Sequence, residues 1–197
     1  MQKLTKLKNS ILLFFSVSLL IACEEVYSPK PRGFFRIDLP EHNYKNFTPI
    51  DCPYSFDINK QAFIANSRSN VNEPCWVNIN YPRFKSTVHI SYKQIDNDLP
   101  KFLEDSRTLV YKHTVKASDI QEKLIVNDSA KVYGLVYFLE GDAASTMQFY
   151  LTDSANHFLR GALYFNARPN PDSIAPVQEF IRQDVLHFIN SFEWKNV

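Results

Sequence analysis

The feature that most constrains this chain is an apolar stretch near its start that is too short to cross a membrane. Residues 1–10 contain three lysines and no acid, and residues 11–22 are apolar apart from two serines. A membrane-spanning helix needs about 20 apolar residues. A basic leader followed by a shorter apolar segment is typical of a secretory signal peptide. We therefore expect residues 1–22 to be cleaved and the rest of the chain to fold after export.

The end of this leader matches the bacterial lipobox, Leu20-Ile21-Ala22-Cys23. The resemblance to lipoproteins implies that the Cys23 thiol is diacylated, that cleavage occurs before it, and that the new amine is acylated, with palmitate among the chains. One acyl chain binds a membrane only marginally, whereas two or three anchor a protein durably. The alternative is an ordinary signal peptide with an incidental cysteine. We predict a mature protein that is anchored to a membrane at Cys23 and does not cross it.

The region after Cys23 predicts a tether and then one domain. Residues 24–33 lack apolar periodicity and include two prolines, which favour an extended backbone. We interpret residues 23–33 as the lipidated cysteine with a flexible tether, and residues 34–197 as a single domain. Loss of the leader leaves 19 basic and 21 acidic residues, because the leader holds three lysines and no acid. This balance gives no basis for binding nucleic acid through bulk charge.

Two cysteines remain after lipid is assigned to the first, Cys52 and Cys75. An exported protein lies in an oxidising compartment, so an even pair predicts one disulfide. It would close a loop of about 20 residues and stabilise the fold by roughly 3 kcal/mol. Two buried thiols or a metal-binding pair are the alternatives.

The hydrophobic pattern alternates between a period of two and a period of 3.6. It predicts a strand or strap at 34–37, a loop at 59–73, a hairpin turn at 82–85, and strands at 53–58, 75–81, 87–93, 131–140, 145–152 and 158–166. It predicts helices from Leu99 to His113, from Ser118 to about Val126, and from near Ser173–Pro176 to Phe192. This order indicates an α+β fold, an antiparallel β-sheet packed with helices. The arrangement resembles the Mog1/PsbP-like one, an analogy that carries no function.

Catalytic signatures are sparse in this sequence. No GxSxG, HExxH, CxxC, P-loop or GxGxxG motif is present, and no two histidines have HxH or HxxxH spacing. The stretch Asp153-Ser154-Ala155-Asn156-His157 places a serine near a histidine, but these residue types favour a hairpin turn. His113 is expected at the edge of the core. We therefore predict no catalytic residue, metal site or cofactor.

Aromatic side chains outside the main apolar stripes are the remaining candidates for function. Trp76, Tyr81, Tyr111 and Tyr150 are predicted to face outward. Tyrosine and tryptophan are enriched at protein interfaces, so these four are candidate interaction residues.

Several distinctive sequence blocks lie between residues 29 and 165: PKPRGFFRI, CPYSF, CW with NYP, HISYK, EDS, YKH, QF and TDSANHFLRGALYF. Together they resemble the GldD gliding-motility lipoprotein family of Bacteroidota. The resemblance extends over essentially the whole mature chain. It implies a required lipoprotein of the apparatus for gliding and type IX protein secretion, with no established catalytic residue to transfer.

The resemblance implies partners among other gliding and type IX secretion proteins of the envelope. Arg32 and Arg36, at the junction of tether and domain, can pair with a partner's carboxylates, with lipid phosphates or within the domain. Our leading hypothesis is a non-enzymatic assembly factor on the periplasmic face of the outer membrane, with the inner membrane or the cell surface as alternatives. A periplasmic hydrolase or peptidoglycan-modifying enzyme using His157, Ser154 or His113 is one competing hypothesis. A small-ligand-binding module is another.

Overall fold

The computed structural model describes residue 33, residues 36–66, residue 73, residues 75–166 and residues 171–195, without side chains for 171–173. The chain divides into two compact units, Met1–Phe34 and Phe35–Val197. The predicted signal peptide, Cys23, Arg32 and nearly all of the tether lie outside the described residues. The elements described next therefore belong to the second unit.

The described part of the chain contains ten strands, two α-helices and two 3₁₀ helices. The strands are β1 Tyr44–Phe47, β2 Tyr54–Asn59, β3 Phe63–Asn66, β4 Val77–Tyr81, β5 Ser86–Gln94, β6 Ala117–Asn127, β7 Val132–Gly141, β8 Ser145–Thr152, β9 His157–Phe165 and β10 Glu193–Trp194. The α-helices are α1 Leu99–Tyr111 and α2 Pro171–Asn190, and the 3₁₀ helices are Pro82–Phe84 and Lys112–Val115.

Seven strands form one antiparallel sheet in the order β3-β4-β5-β9-β8-β7-β6. Its central strands are buried on both faces, as the nearly continuous apolar sequence of β7 predicts. One edge, β3, has 4 residues, whereas the other, β6, has 11. Among the described residues, the sheet therefore ends on one side in a long strand whose single pairing partner is β7.

Each face of the large sheet is covered differently. Helix α2 and the small antiparallel sheet β1-β2-β10 pack on one face. Phe188 of α2 lies 4.2 Å from the ring of Phe56 on β2 and 5.5 Å from that of Phe149 on β8. Helix α1 covers only part of the other face, where Val110 packs with residues of β7.

The predicted α+β class is confirmed, but one predicted helix is wrong. Residues Ser118 to Val126 form strand β6, which pairs with β7 from Ala117 to Asn127. The sequence Ser-Asp-Ile-Gln resembles a helix-capping box, a local signal that tertiary pairing can override. A full-length antiparallel partner and the β-branched residues of this segment favour the strand.

Other boundaries differ by smaller amounts. The predicted loop at 59–73 contains the short strand β3. Ile37 is in no strand, and the first strand begins only at Tyr44. The first helix ends at Tyr111 and continues as a 3₁₀ helix, while the last begins at Pro171. The strands of the central hairpins agree with prediction to within two residues.

A disulfide joins Cys52 to Cys75 across a sequence separation of 23 residues, with the Cα atoms 5.5 Å apart. This fits the pair predicted from the cysteine count. It connects the segment before β2 to the segment before β4, and the Tyr54 hydroxyl donates to the Cys75 carbonyl at 2.8 Å. The disulfide therefore joins the small sheet to the large one.

Candidate protein-interaction surface

Exposed apolar side chains concentrate around the end of α1 and the edge strand β6. Nine large apolar side chains are exposed among the described residues, and five of them lie between Leu109 and Val126. Leu124 is 69% exposed and Val126 is 59% exposed, although both lie within a strand. We define the β6 surface as Tyr111, Glu122, Leu124 and Val126.

The strand register explains why Leu124 and Val126 are uncovered. Leu124 lies opposite Leu135, and residues directly opposite in an antiparallel pair project on the same face. Leu135 borders the small core cluster under α1. Helix α1 ends at Tyr111, so it covers the β7 end near Leu139 and leaves the far end of β6 open.

The outer side of β6 offers unpaired backbone groups. A sheet edge exposes a row of N–H and C=O groups on which another chain can pair. Proteins commonly protect such edges with short strands, prolines or several lysines. Strand β6 has 11 residues, one lysine and no proline. Its length and composition therefore leave the edge available to a partner.

A cavity of about 440 Å³ lies between the end of β6 and α2. Its lining is mixed: Ile125, Val136, Leu186 and Ile189 are apolar, whereas Lys123, Asn127 and Asp128 are polar. Side chains of an extended segment placed along β6 would alternate between this cavity and the β6 surface.

Glu122 is the charged centre of a group of tyrosines. Its carboxylate accepts a hydrogen bond from the Tyr111 hydroxyl at 2.9 Å, and the Arg107 guanidinium lies 5.4 Å from the Tyr111 ring centre. Burial raises the pKa of Tyr137 to about 12, with further contributions from Glu122, Tyr150 and Tyr111. Glu122 therefore links the exposed Tyr111 to buried tyrosines beneath α1.

Tyr111 is the predicted interaction residue that lies on the β6 surface. Tyr150 is half-buried. Its ring lies 5.6 Å from that of Phe158, and its side chain packs against the core cluster under α1. Trp76 is also half-buried, and its indole N–H donates to the Tyr92 carbonyl at 2.7 Å. Arg36 is exposed, and its Nε lies 3.1 Å from the Asp38 carboxylate, so it pairs with a residue of its own domain.

The prediction that Tyr81 faces outward is wrong. Tyr81 is 4% exposed, because it alternates in phase with Val77 and Ile79 on the buried face of β4. Burial, followed by the charge of Asp184 and a hydrogen bond with it, raises the pKa of Tyr81. Leu124 and Val126 were missed because their segment was predicted to be helical. The consecutive apolar residues Leu124-Ile125-Val126 were the available signal.

The structure shows the turn predicted at Asp153–His157. The Asp153 carboxylate accepts backbone N–H groups of Ala155, Asn156 and His157 at 2.8–3.0 Å. Burial opposes its ionisation, but these bonds and His157 outweigh burial and hold the pKa of Asp153 below its ordinary value. Ser154 has a φ of 66°, which suits a turn.

The ring of His157 contacts residues outside the turn. Its Nδ1 lies 2.8 Å from the Tyr92 hydroxyl, and its ring stacks on Trp194 at 5.1 Å. It lines a cavity of about 530 Å³ together with Lys131, Trp194 and Lys195. His113, the third catalytic candidate, lies in the 3₁₀ helix after α1, where burial and Arg160 lower its pKa.

A buried carboxylate of α2 organises the other end of the domain; the helical stripe predicted that Asp184 lies on or near the buried face, but not its partners. Asp184 of α2 is 2% exposed and accepts from Asn59 at 3.0 and 3.2 Å. His42 Nδ1 lies 2.7 Å from Asp184, and the Tyr44 ring stacks on His187 at 3.6 Å. Burial and then Asp184 raise the pKa of Tyr44 to about 12. These contacts fasten the start of the domain to α2.

The described residues contain no group of three or more His, Cys, Asp or Glu side chains placed to hold a metal ion. None of their helices combines the length and the apolar character needed to cross a membrane.

A basic and apolar leader that ends in a lipobox cysteine is typical of a membrane-anchored envelope lipoprotein. The family model described as gliding motility lipoprotein GldD matches residues 24–194. The chain therefore belongs to the GldD family of gliding motility lipoproteins. This confirms the family predicted from the sequence blocks and is consistent with a role in gliding and with partners in the motility machinery.

Among solved structures, the chain is similar to the solution structure of cyanobacterial PsbP (CyanoP) from Synechocystis sp. PCC 6803. The match has a TM-score of 0.45 and 12% sequence identity, and covers 81% of this chain and 97% of the other. No curated protein matches the chain significantly. The α+β assignment rests on the strands and helices of the chain itself.

Proposed function

We propose that this lipoprotein is a non-enzymatic assembly component of the gliding and type IX secretion apparatus. In this proposal another envelope protein of that apparatus docks on the β6 surface. The observation that supports it is a pair of exposed apolar side chains, Leu124 and Val126, on β6. In the described structure this long strand pairs with β7 on one side and with no strand on the other. The family assignment supplies the biological setting.

The energetics favour docking by an extended segment of the partner. Complete burial of one exposed aliphatic side chain stabilises a complex by about 1.5–3 kcal/mol. Backbone pairing along β6 would add hydrogen bonds and fix the register. Tyr111, a residue type enriched at binding hot spots, lies beside the same strand. We therefore expect a partner segment with alternating apolar residues and with backbone N–H and C=O groups that can pair with β6.

The anchor places the domain close to a membrane. Acylated Cys23 would hold the chain on the periplasmic face of the outer membrane, and the ten residues after it would span at most about 30 Å. The acids Glu24 and Glu25 follow the cysteine directly and match the surface-export signals of Bacteroidota in part. The cell surface and the inner membrane are therefore the alternative locations.

The test uses charged substitutions on the β6 surface of the full-length protein in its native cell. Leu124→Lys with Val126→Lys should abolish or strongly reduce gliding and secretion while the protein stays in the envelope fraction. Ile50→Lys is the matched control, because Ile50 is 92% exposed and lies outside β6. Gliding and secretion at wild-type levels in the double variant would overturn the docking proposal.

Photo-crosslinking identifies the occupant directly. A crosslinking amino acid at position 124 should capture an envelope protein of the gliding or secretion apparatus, and the same probe at position 50 should not. Protease shaving of intact cells with membrane fractionation tests the location. Loss of function in Ser154→Ala, His157→Ala or His113→Ala variants that fold normally would instead support the hydrolase alternative.

A further inference from the structure

Arg160 is a partly buried cation in the middle of the large sheet. It lies on β9 opposite Tyr150 of β8 and Ser91 of β5. Burial lowers the pKa of its guanidinium, although an arginine stays charged at physiological pH. A buried charge is costly unless a group of opposite charge or several hydrogen bonds compensate it. The question is which group compensates Arg160.

Within the described residues, the acceptor that Arg160 meets is an amide rather than a carboxylate. Its Nη2 donates to Gln148 Oε1, and the ion pairs of the domain involve other residues. Arg182 is a useful contrast, because it lies 3.6 Å from the carboxylate of Glu179. A guanidinium has five N–H donors, so most of those on Arg160 remain available.

Gln148 has an unused donor in the same place. Its side chain is 1% exposed, and its Nε2 has no hydrogen-bond partner in the described structure. Buried polar groups are nearly always paired, so an orphan amide needs an explanation. The arginine and the amide together present several hydrogen-bond donors, which is the arrangement that binds an anion.

The surrounding residues give the site a polar entrance. Gln148 and His89 both lie opposite Ala162, one register step from Arg160 on the same face. His89 is exposed and meets the edge of the Tyr164 ring at 5.6 Å. The small Ala162 side chain lies between these longer polar side chains. A ligand would therefore approach over His89 and Tyr164.

We propose that Arg160 and Gln148 form a binding site for a carboxylate, entered over His89 and Tyr164. A planar guanidinium binds a carboxylate through two parallel hydrogen bonds, and the amide of Gln148 adds a third donor. The site holds one fixed positive charge, since burial lowers the pKa of both His89 and His113 beside it. A monoanion therefore matches it better than a doubly charged phosphate.

The carboxylate has two sources with the same chemistry. One is an aspartate or glutamate side chain of a protein partner, and the other is a free small carboxylate. Three probes distinguish the two sources: acetate, a peptide with one glutamate, and the same peptide with glutamine in its place. Acetate and the glutamate peptide differ in size, and the glutamine peptide lacks the carboxylate. Stronger binding of the glutamate peptide than of acetate indicates a protein partner. Binding of acetate but not of the peptide indicates a small molecule.

The experiment follows side-chain N–H signals of Arg160 and Gln148 by NMR in the full-length protein in detergent. Acetate should shift both signals with saturation, and chloride at equal ionic strength should not. Arg160→Lys should weaken binding about tenfold, because an ammonium is a point charge without the paired donors of a guanidinium. Arg182→Met, which removes an arginine that already has a carboxylate, should leave binding unchanged.

The wild-type comparison decides the proposal even if substitution at position 160 impairs folding. The proposal would be overturned if acetate and chloride changed the NMR shifts of the Arg160 and Gln148 side-chain N–H signals equally. Acetate binding that persists unchanged in a folded Arg160→Lys protein would overturn it as well. In either case the orphan amide would be satisfied by buried water, and the cation would be only structural.

Discussion

The Tyr111 hydroxyl donates to the Glu122 carboxylate at 2.9 Å and so ties the last residue of α1 to the edge strand β6. Glu122 also acts on the buried Tyr137, whose pKa lies near 12 through burial, Glu122, Tyr150 and Tyr111, in that order. One exposed carboxylate thus joins the proposed docking surface to the small core under α1. We therefore expect the stability of this region to depend on alkaline pH.

Stability is expected to fall as the pH rises from about 10 to about 12. An unfolded tyrosine has a pKa near 10, while Tyr137 and Tyr44 in the folded domain have pKa values of about 12. A raised folded-state pKa gives stability that is complete below the unfolded pKa and is lost as the pH approaches the folded one. Urea denaturation at a series of pH values measures the slope.

Glu122→Gln tests how much the Glu122 charge contributes to the raised pKa of Tyr137. It removes the charge that opposes ionisation of Tyr137, so the Tyr137 titration midpoint should decrease in a carbon-detected NMR titration. Tyr92 should be unchanged, because its raised pKa comes from burial and Asp153. A Tyr137 midpoint that does not move would show that the Glu122 charge does not contribute to the raised pKa.

Loss of the Cys52–Cys75 disulfide should destabilise the domain without changing its fold. The bridge restricts a loop of about 20 residues in the unfolded chain, so Cys52→Ser with Cys75→Ser should reduce the free energy of unfolding by roughly 3 kcal/mol. Urea denaturation with and without reductant measures the change. The double variant should not respond to reductant, and a wild-type midpoint that also ignores reductant would contradict the prediction.

Asp184→Ala should be among the most damaging substitutions on α2. It leaves His42 and Asn59 without their shared buried acceptor, at a cost of about 3 kcal/mol. Glu179→Ala on the same helix removes an exposed carboxylate and should cost less than about 0.5 kcal/mol. Thermal and urea unfolding compare the two. Equal losses would show that the buried centre contributes no more than a surface residue.

The sequence predicted those parts of the fold that depend on local periodicity. Alternation in β8 and the apolar run of β7 were sufficient to predict both strands, and the heptad-like stripe of α2 correctly included Asp184 on its buried face. The edge strand was mispredicted because a capping pattern at Ser118 conflicts with pairing to a strand later in the chain. Residues close in sequence carry no information about a pairing strand that lies later in the chain.

The sites were harder to predict than the fold, because their residues meet only after folding. His42, Asn59 and Asp184 are separated by up to 142 positions, and no spacing in the sequence links them. Arg160 and Gln148 meet through the register of two neighbouring strands. Tyr111 is exposed, as its place outside the main apolar stripes predicted, but its neighbours on β6 required the strand to be known.

Gly134→Ala should disrupt the hairpin of β7 and β8. A Cβ at Gly134 would lie 1.9 Å from the Tyr150 carbonyl oxygen and 3.0 Å from its carbon, so the two backbones would have to separate. We expect a loss of at least about 2 kcal/mol, measured as a lower melting temperature by circular dichroism. Gly33→Ala is the matched control, because nothing lies within 4 Å of its added Cβ. If both variants melted at the wild-type temperature, the close approach of β7 to β8 at Gly134 would be wrong, and so would the register that positions Leu135, the partner of Leu124.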